Sequence, residues 1–162
     1  MTKIVGIDPG LAATGVGVVW GGRRVPSGCS YGCITTTQAL ALPQRLEKIF
    51  DKTSAVLGSE KPNLVVVEDV FTLSKYPKSA ISLSAVTGVV LLAASQHKIA
   101  VKQIPVREAK RVLTGNGSAS KAQLEKSVRQ RLGLTEKIRP EHAADALGLA
   151  LIGFDRLQVY SR

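Results

Sequence analysis

Ile4-Val5-Gly6-Ile7-Asp8-Pro9-Gly10 decides how the rest of the chain is read. Valine and isoleucine favour extended backbone and Pro-Gly breaks it, so Asp8 is expected at or near a strand end. The run is apolar or small until position eight, as in a central strand covered on both faces. An ionised carboxylate on such a strand is costly unless a cation or hydrogen bonds compensate it. An aspartate before Pro-Gly is also a common turn initiator. The choice between these readings turns on whether other carboxylates arrive in similarly apolar settings.

Two do. Glu68 follows Leu64-Val65-Val66-Val67, which reads as a buried strand, and Asp145 interrupts an otherwise apolar helical run from Ala143 to Leu151. His142 and Asp145, three residues apart, share one face of that helix. Carboxylates gathered at one place repel, and they stay ionised together only with a cation between them. Oxygen ligands select hard ions, Mg²⁺ or Mn²⁺. Two such ions about 3.5–4 Å apart can hold both the attacking water and the leaving oxygen of a phosphodiester. Taken singly, Glu68 also fits a strand-end charge in solvent and Asp145 a buried carboxylate paired with an arginine. Taken jointly, beside a basic flank, the three favour metal-dependent nuclease chemistry.

That flank is visible in the composition. The 162 residues include 22 Lys+Arg against 12 Asp+Glu, a net charge of +10 and a pI near 10.0. Between Lys102 and Arg139, ten basic residues face only Glu108, Glu125 and Glu136, a local net of +7. Such asymmetry points to a polyanionic partner, nucleic acid first, with a solvated basic surface as the rival reading. With 44% hydrophobic and 21% charged residues the composition is globular. No stretch approaches the roughly 20 apolar residues of a membrane span, and the N-terminal run is too short and too acidic for a signal peptide. A cytoplasmic protein without membrane contact is expected. Cys29 and Cys33 are too few for a disulfide framework, and His97 and His142 are too distant in sequence to complete a zinc site with them, so both are expected as reduced thiols.

Along the chain, residues 14 to 20 and 30 to 36 read as second and third strands, with Gly21-Gly22 as a two-residue hairpin signal. Leu42, Leu46, Ile49, Phe50, Thr53, Val56 and Leu57 follow helical spacing, with Gly58 placed to stop the helix. A small, apolar helix is expected from 79 to about 96, and a short strand from 100 to 104. Pro105 then starts a basic helix ending near Gly115. Residues 114–118 are loop without the Gly-Lys-Ser/Thr spacing of a P-loop. Ser120 caps a further helix, and Pro140 opens the last one, which runs to about Phe154. This order predicts an α/β fold: a mixed five-stranded sheet, an antiparallel meander followed by βαβ units, with helices on both faces. One domain is expected over 1–157, with a short tail at 158–162.

Four blocks then carry a resemblance. Ile-Val-Gly-Ile-Asp-Pro-Gly, Val-Val-Val-Glu-Asp-Val-Phe, Thr-Gly-Asn-Gly-Ser-Ala-Ser-Lys and His-Ala-Ala-Asp-Ala-Leu, in this order and spacing, resemble the RuvC family of Holliday-junction resolvases over nearly the whole chain. The resemblance implies a ribonuclease-H-like fold, a homodimer, Mg²⁺ with two ions per active site and Mn²⁺ able to substitute, and paired nicks across a four-way DNA junction. It implies nicked ends with 5′-phosphate and 3′-hydroxyl, and branch-migration partners of the RuvA and RuvB type. Asp8, Glu68 and Asp145 correspond to catalytic, metal-holding acidic positions, and His142 to the fourth, which in some members is Asp and in others His. Imidazole is a softer ligand than carboxylate, which leaves two roles for His142: shifting preference toward Mn²⁺, or positioning the water.

Lys110 and Lys121 match positions where the family sets basic residues against the DNA backbone, and the neighbouring Arg111 is a further DNA-binding candidate. Phe71 matches an aromatic thought to contact bases at an opened junction, where stacking is worth roughly 1–3 kcal/mol per base; a core role is its rival. Ser84-Ala85-Val86-Thr87-Gly88 and Ser74-Lys75-Tyr76-Pro77-Lys78 depart from the commoner family forms, which bears on junction contacts and the dimer surface rather than on the acidic residues. Two other functions compete. A non-catalytic junction-binding module would have no reason to keep carboxylates that repel phosphate. An actin-like ATPase or sugar kinase would need a second phosphate loop and usually a second domain.

Overall fold

The computed structural model describes residues 1–22, 25–69 and 77–160. Strands β1 (Thr2–Asp8), β2 (Ala13–Gly21), β3 (Pro26–Thr35), β4 (Leu64–Asp69) and β5 (Val101–Pro105) form one sheet in the order β3-β2-β1-β4-β5. The pairs β1/β2 and β2/β3 are antiparallel, whereas β1/β4 and β4/β5 are parallel, which is the expected mixed sheet. β1 is therefore central, and its continuous apolar run is explained by cover on both sides.

Side chains alternate along β1. Ile4 joins a core with residues of α3 (Val106–Thr114), α4 (Lys121–Arg131) and α5 (Glu141–Tyr160). Val5 and Ile7 face the other way, into a core with Leu57 of α1 (Leu42–Glu60) and Val90, Ala93 and Ala94 of α2 (Pro77–Gln96). Helices thus cover both faces, as expected. None of the described helices is long and apolar enough to cross a membrane.

Several boundaries differ from the sequence reading for identifiable reasons. Gly58 does not stop α1: the helix continues to Glu60, and Lys61 takes the left-handed cap (φ 46°) just before Pro62, which cannot continue it. Gly58 instead serves close packing, because a Cβ there would lie 3.2 Å from Cε1 of His97. Gly21-Gly22 is not a two-residue turn. Gly21 still pairs with Pro26, and β3 starts earlier than residue 30. Pro105 is the last residue of β5 and caps α3 rather than lying inside it. Ser120 caps α4 as expected: its hydroxyl accepts from the Gln123 N–H, and Gln123 Oε1 accepts in return from the Ser120 N–H at 2.8 Å. α5 passes its expected end at Phe154 and continues to Tyr160, into the segment expected to be a tail.

α5 lies unusually close to the sheet. Gly6, Gly15 and Gly17 fall on the side of β1 and β2 that faces it, and leave a furrow without side chains. A Cβ on Gly6 would overlap the Ala146 carbonyl oxygen and lie 2.6 Å from the Ala150 nitrogen. A Cβ on Gly15 would overlap the carbonyl of His142, and one on Gly17 would sit 2.6 Å from the Leu147 nitrogen. The furrow sets the first turns of α5 directly over the end of β1.

Candidate active site

The strand period places Ile4, Gly6 and Asp8 on the α5 side of β1. Gly6 pairs with Val66 in parallel register, and Val66 points into the same core as Ile4, so Glu68 two residues on shares that side with Asp8. Asp8 pairs across β2 with Gly15, whose missing side chain lets His142 descend. The result is convergence: His142 Nδ1 lies 2.6 Å from Oδ2 of Asp8, and Glu68 hydrogen-bonds to Asp8 through its own carboxyl. Asp145, one turn further along α5, stands within electrostatic reach of Asp8, Glu68 and His142.

Electrostatics show what this crowding costs. Burial pushes the Glu68 carboxyl up to about 8, helped by its hydrogen bond to Asp8 and by the charges of Asp8 and Asp145; Lys121 opposes the shift. Burial, then the Asp8 charge, raises Asp145 to about 6, against opposing Lys121 and His142. The hydrogen bond to Asp8 raises the His142 imidazole despite its partial burial. Burial lowers Lys121, but its hydrogen bond to Glu141 and the charges of Asp145, Glu141 and Asp8 outweigh that and leave it raised.

Without a cation, then, the chain holds extra protons among its acidic groups. Three carboxylates and an imidazole are a donor set for a hard divalent ion, and carboxylates this crowded keep their charges together only with positive charge between them. Among the described residues no three His, Cys, Asp or Glu side chains already meet at one chelation point. Asp8 instead accepts hydrogen bonds from Glu68 and His142.

A pH dependence follows. The folded-state values of about 8 for Glu68 and about 6 for Asp145 lie above the ordinary 4.5 and 3.8. Between these limits the folded chain binds more protons than the unfolded one, so stability falls as pH rises. The raised His142 has the same sign: its contribution is present below its ordinary value of 6.5 and lost above its folded one. With chelator present, the thermal midpoint should fall steadily from about pH 5 to about pH 8.5. A midpoint that climbs over that range would contradict the electrostatics described here.

The other candidates divide. Lys121 reaches the site: it sits at the rim, 3.3 Å from Glu141 Oε2, and lines a small cleft together with Asp145, Glu125, Lys137 and Glu141. Lys110 and Arg111 lie on α3, and their side chains form no ion pair with the described residues. Phe71 lies outside the described residues. The sequence reading did not single out the furrow glycines, although Gly15-Val16-Gly17 strips one face of a strand in alternation and thereby signals close approach. Nor did it place Cys33 near the carboxylates. Cys33 pairs with Gly15, and burial together with the Asp8 charge raises its thiol.

Comparison with known proteins agrees with this geometry. The family model described as Crossover junction endodeoxyribonuclease RuvC matches residues 4–153. The crossover junction endodeoxyribonuclease RuvC of Carboxydothermus hydrogenoformans is 42% identical over 154 residues, covering 94% of this chain and 95% of that protein. Its counterpart in Fusobacterium nucleatum is 35% identical, covering 96% of this chain and 81% of its own length. Among solved structures, Thermus thermophilus RuvC in complex with a Holliday junction substrate superposes with a TM-score of 0.90 at 29% identity, covering 99% of this chain and 98% of that one. The yeast mitochondrial Holliday junction resolvase Ydc2, at 12% identity and a TM-score of 0.65, shares the fold. A match over almost the whole length makes this chain a member of the RuvC family of crossover junction endodeoxyribonucleases.

Proposed function

We propose that this nuclease resolves Holliday junctions in recombination and repair by paired, symmetric, metal-dependent nicking. One observation carries the reading: Glu68 and His142 both hydrogen-bond to Asp8, with Asp145 beside them, at the end of the central strand of a chain with net charge +10. Asp8, Glu68, Asp145 and His142 would hold Mg²⁺, two ions per site, with Mn²⁺ able to substitute. When bound, such ions supply Lewis-acid stabilisation of a phosphodiester under attack and activate water at neutral pH.

The chain's own groups do the rest. Asp8 orients the His142 ring through Nδ1, so the other ring nitrogen is left for a ligand or a water. Lys121, cationic at neutral pH, is placed at the rim to meet a phosphate oxygen as charge builds on it. Lys110, Arg111 and Phe71 are proposed to contact the junction. In its native setting we place the protein in the cytoplasm as one nuclease domain, 1–157, forming a homodimer and acting with RuvA- and RuvB-type proteins. A two-fold symmetric dimer on a near-symmetric junction gives a physical reason for paired cuts. Outward-facing Ile81 and Leu92 leave α2 with apolar surface that a second copy would cover.

The test incubates purified protein and Mg²⁺ with a labelled four-way junction beside a linear duplex of equal length. Junction cutting into ligatable 5′-phosphate ends, with the duplex left intact, is the expected result. Equal cutting of both, or of neither, would remove the resolvase reading.

A further inference from the structure

One buried acid has no part in the chemistry above. Glu125, on α4, is only 7% exposed, inside a segment otherwise dominated by basic residues. Its Oε1 accepts the backbone N–H of Ile138 at 3.0 Å and the Arg129 Nε–H at 3.1 Å. Arg129 Nη1 in turn donates to the carbonyl of Thr135. The pair therefore grips the connector between α4 and α5 at two points, Thr135 and Ile138, and Ile138 is buried in the core. Three residues after Ile138, α5 begins; its first turns carry His142 and Asp145. Glu125 also lines one wall of the small cleft to which Asp145, Lys121 and Glu141 contribute.

A buried carboxylate is retained only with its hydrogen bonds made, and here they go to the segment that delivers half of the acidic cluster. Asp8 and Glu68 are fixed by the sheet. His142 and Asp145 depend on where α5 starts, so the connector sets their distance from Asp8. We propose that Glu125, backed by Arg129, is a positioning residue for the metal site: it fixes the start of α5 so that His142 and Asp145 close on Asp8 and Glu68. This rests on the metal-site reading of those four residues.

The experiment measures Mn²⁺ uptake by calorimetry, with junction cutting and metal-free junction affinity alongside. Losing a direct partner of a metal ligand typically weakens metal binding 10–100-fold; Glu125 acts one step further away, through the start of α5, so Glu125→Ala should lower Mn²⁺ affinity by about the lower figure, tenfold, with junction affinity unchanged. Glu125→Gln keeps an oxygen for the Ile138 N–H and should recover most of the loss. Asp155→Ala breaks a different α4–α5 contact, the two-oxygen pair with Arg131 at 2.8 and 3.0 Å, and should lower stability without moving Mn²⁺ affinity. Equal affinity in wild type and Glu125→Ala, or an equal loss in Asp155→Ala, overturns the positioning role while the metal site stands. A wild-type protein that takes up no Mn²⁺ overturns the metal site and the positioning role with it. Should Glu125→Ala fail to fold, Arg129→Ala, which frees the Thr135 carbonyl, replaces it with the same expected direction.

Discussion

Asp8→Asn should cut a four-way junction roughly a thousandfold more slowly, or not at all, while binding it about as well as the wild type. Asparagine keeps the shape and one acceptor oxygen of the side chain but removes the charge on which Glu68, His142 and Asp145 converge. Asp8 is the hub because it hydrogen-bonds to both Glu68 and His142 and contributes to the raised values of Glu68 and Asp145. Its charge is costly to a metal-free protein and useful only with cations present. The same substitution should therefore stabilise the chelated protein at about pH 8, because Glu68 and Asp145 lose a repulsive neighbour. Activity down and thermal midpoint up is a pair of results that misfolding cannot imitate. Normal cutting by Asp8→Asn would show that the metal ligands are misassigned. Loss of cutting with a lowered midpoint would make Asp8 a structural residue. A non-catalytic junction binder would lose nothing measurable on the substrate side.

What could be read from the chain alone followed from short-range chemistry. Apolar runs ending in Asp8 and Glu68 specify buried strands with polar ends, and the apolar helix interrupted by Asp145 specifies a covered helix with one exception. Those exceptions marked the candidate site, because a carboxylate in an apolar setting needs a reason. Helix ends were harder, since Gly58 carries a stop signal that packing against His97 overrides. The partnership of Glu125 with Ile138 could not be read at all, because it depends on how a connector folds back on α4. Lys121 and Lys110 look alike in the sequence, and nothing there says that Lys121 lines the small cleft beside Asp145. Distance along a chain does not disclose distance in space where no periodic element links the residues.

Gly6→Ala should be among the most damaging changes outside the acidic cluster, costing about 3 kcal/mol in stability. The added methyl would meet the backbone of α5 at the Ala146 carbonyl and the Ala150 nitrogen, and neither can rotate away as a side chain would. Either β1 or α5 has to move. β1 is central and paired on both edges, so α5 is the element that yields. In a chain of 162 residues that loss corresponds to a thermal midpoint lowered by about 10 °C. The functional consequence should exceed the thermodynamic one. A displaced α5 takes His142 and Asp145 away from Asp8, and misplacement by about 1 Å can cost a hundredfold in rate. Cutting measured well below the new midpoint should therefore be reduced by about that factor, although the protein is folded and binds junctions. Gly32→Ala on β3 is the control, since none of the described residues has an atom within 4 Å of a Cβ there. If Gly6→Ala loses stability but cuts normally when folded, the furrow serves packing alone and α5 has room to settle without disturbing the site. If it cuts poorly while Asp8→Asn behaves as expected, the bare face of β1 and β2 belongs to the catalytic apparatus as much as the carboxylates do.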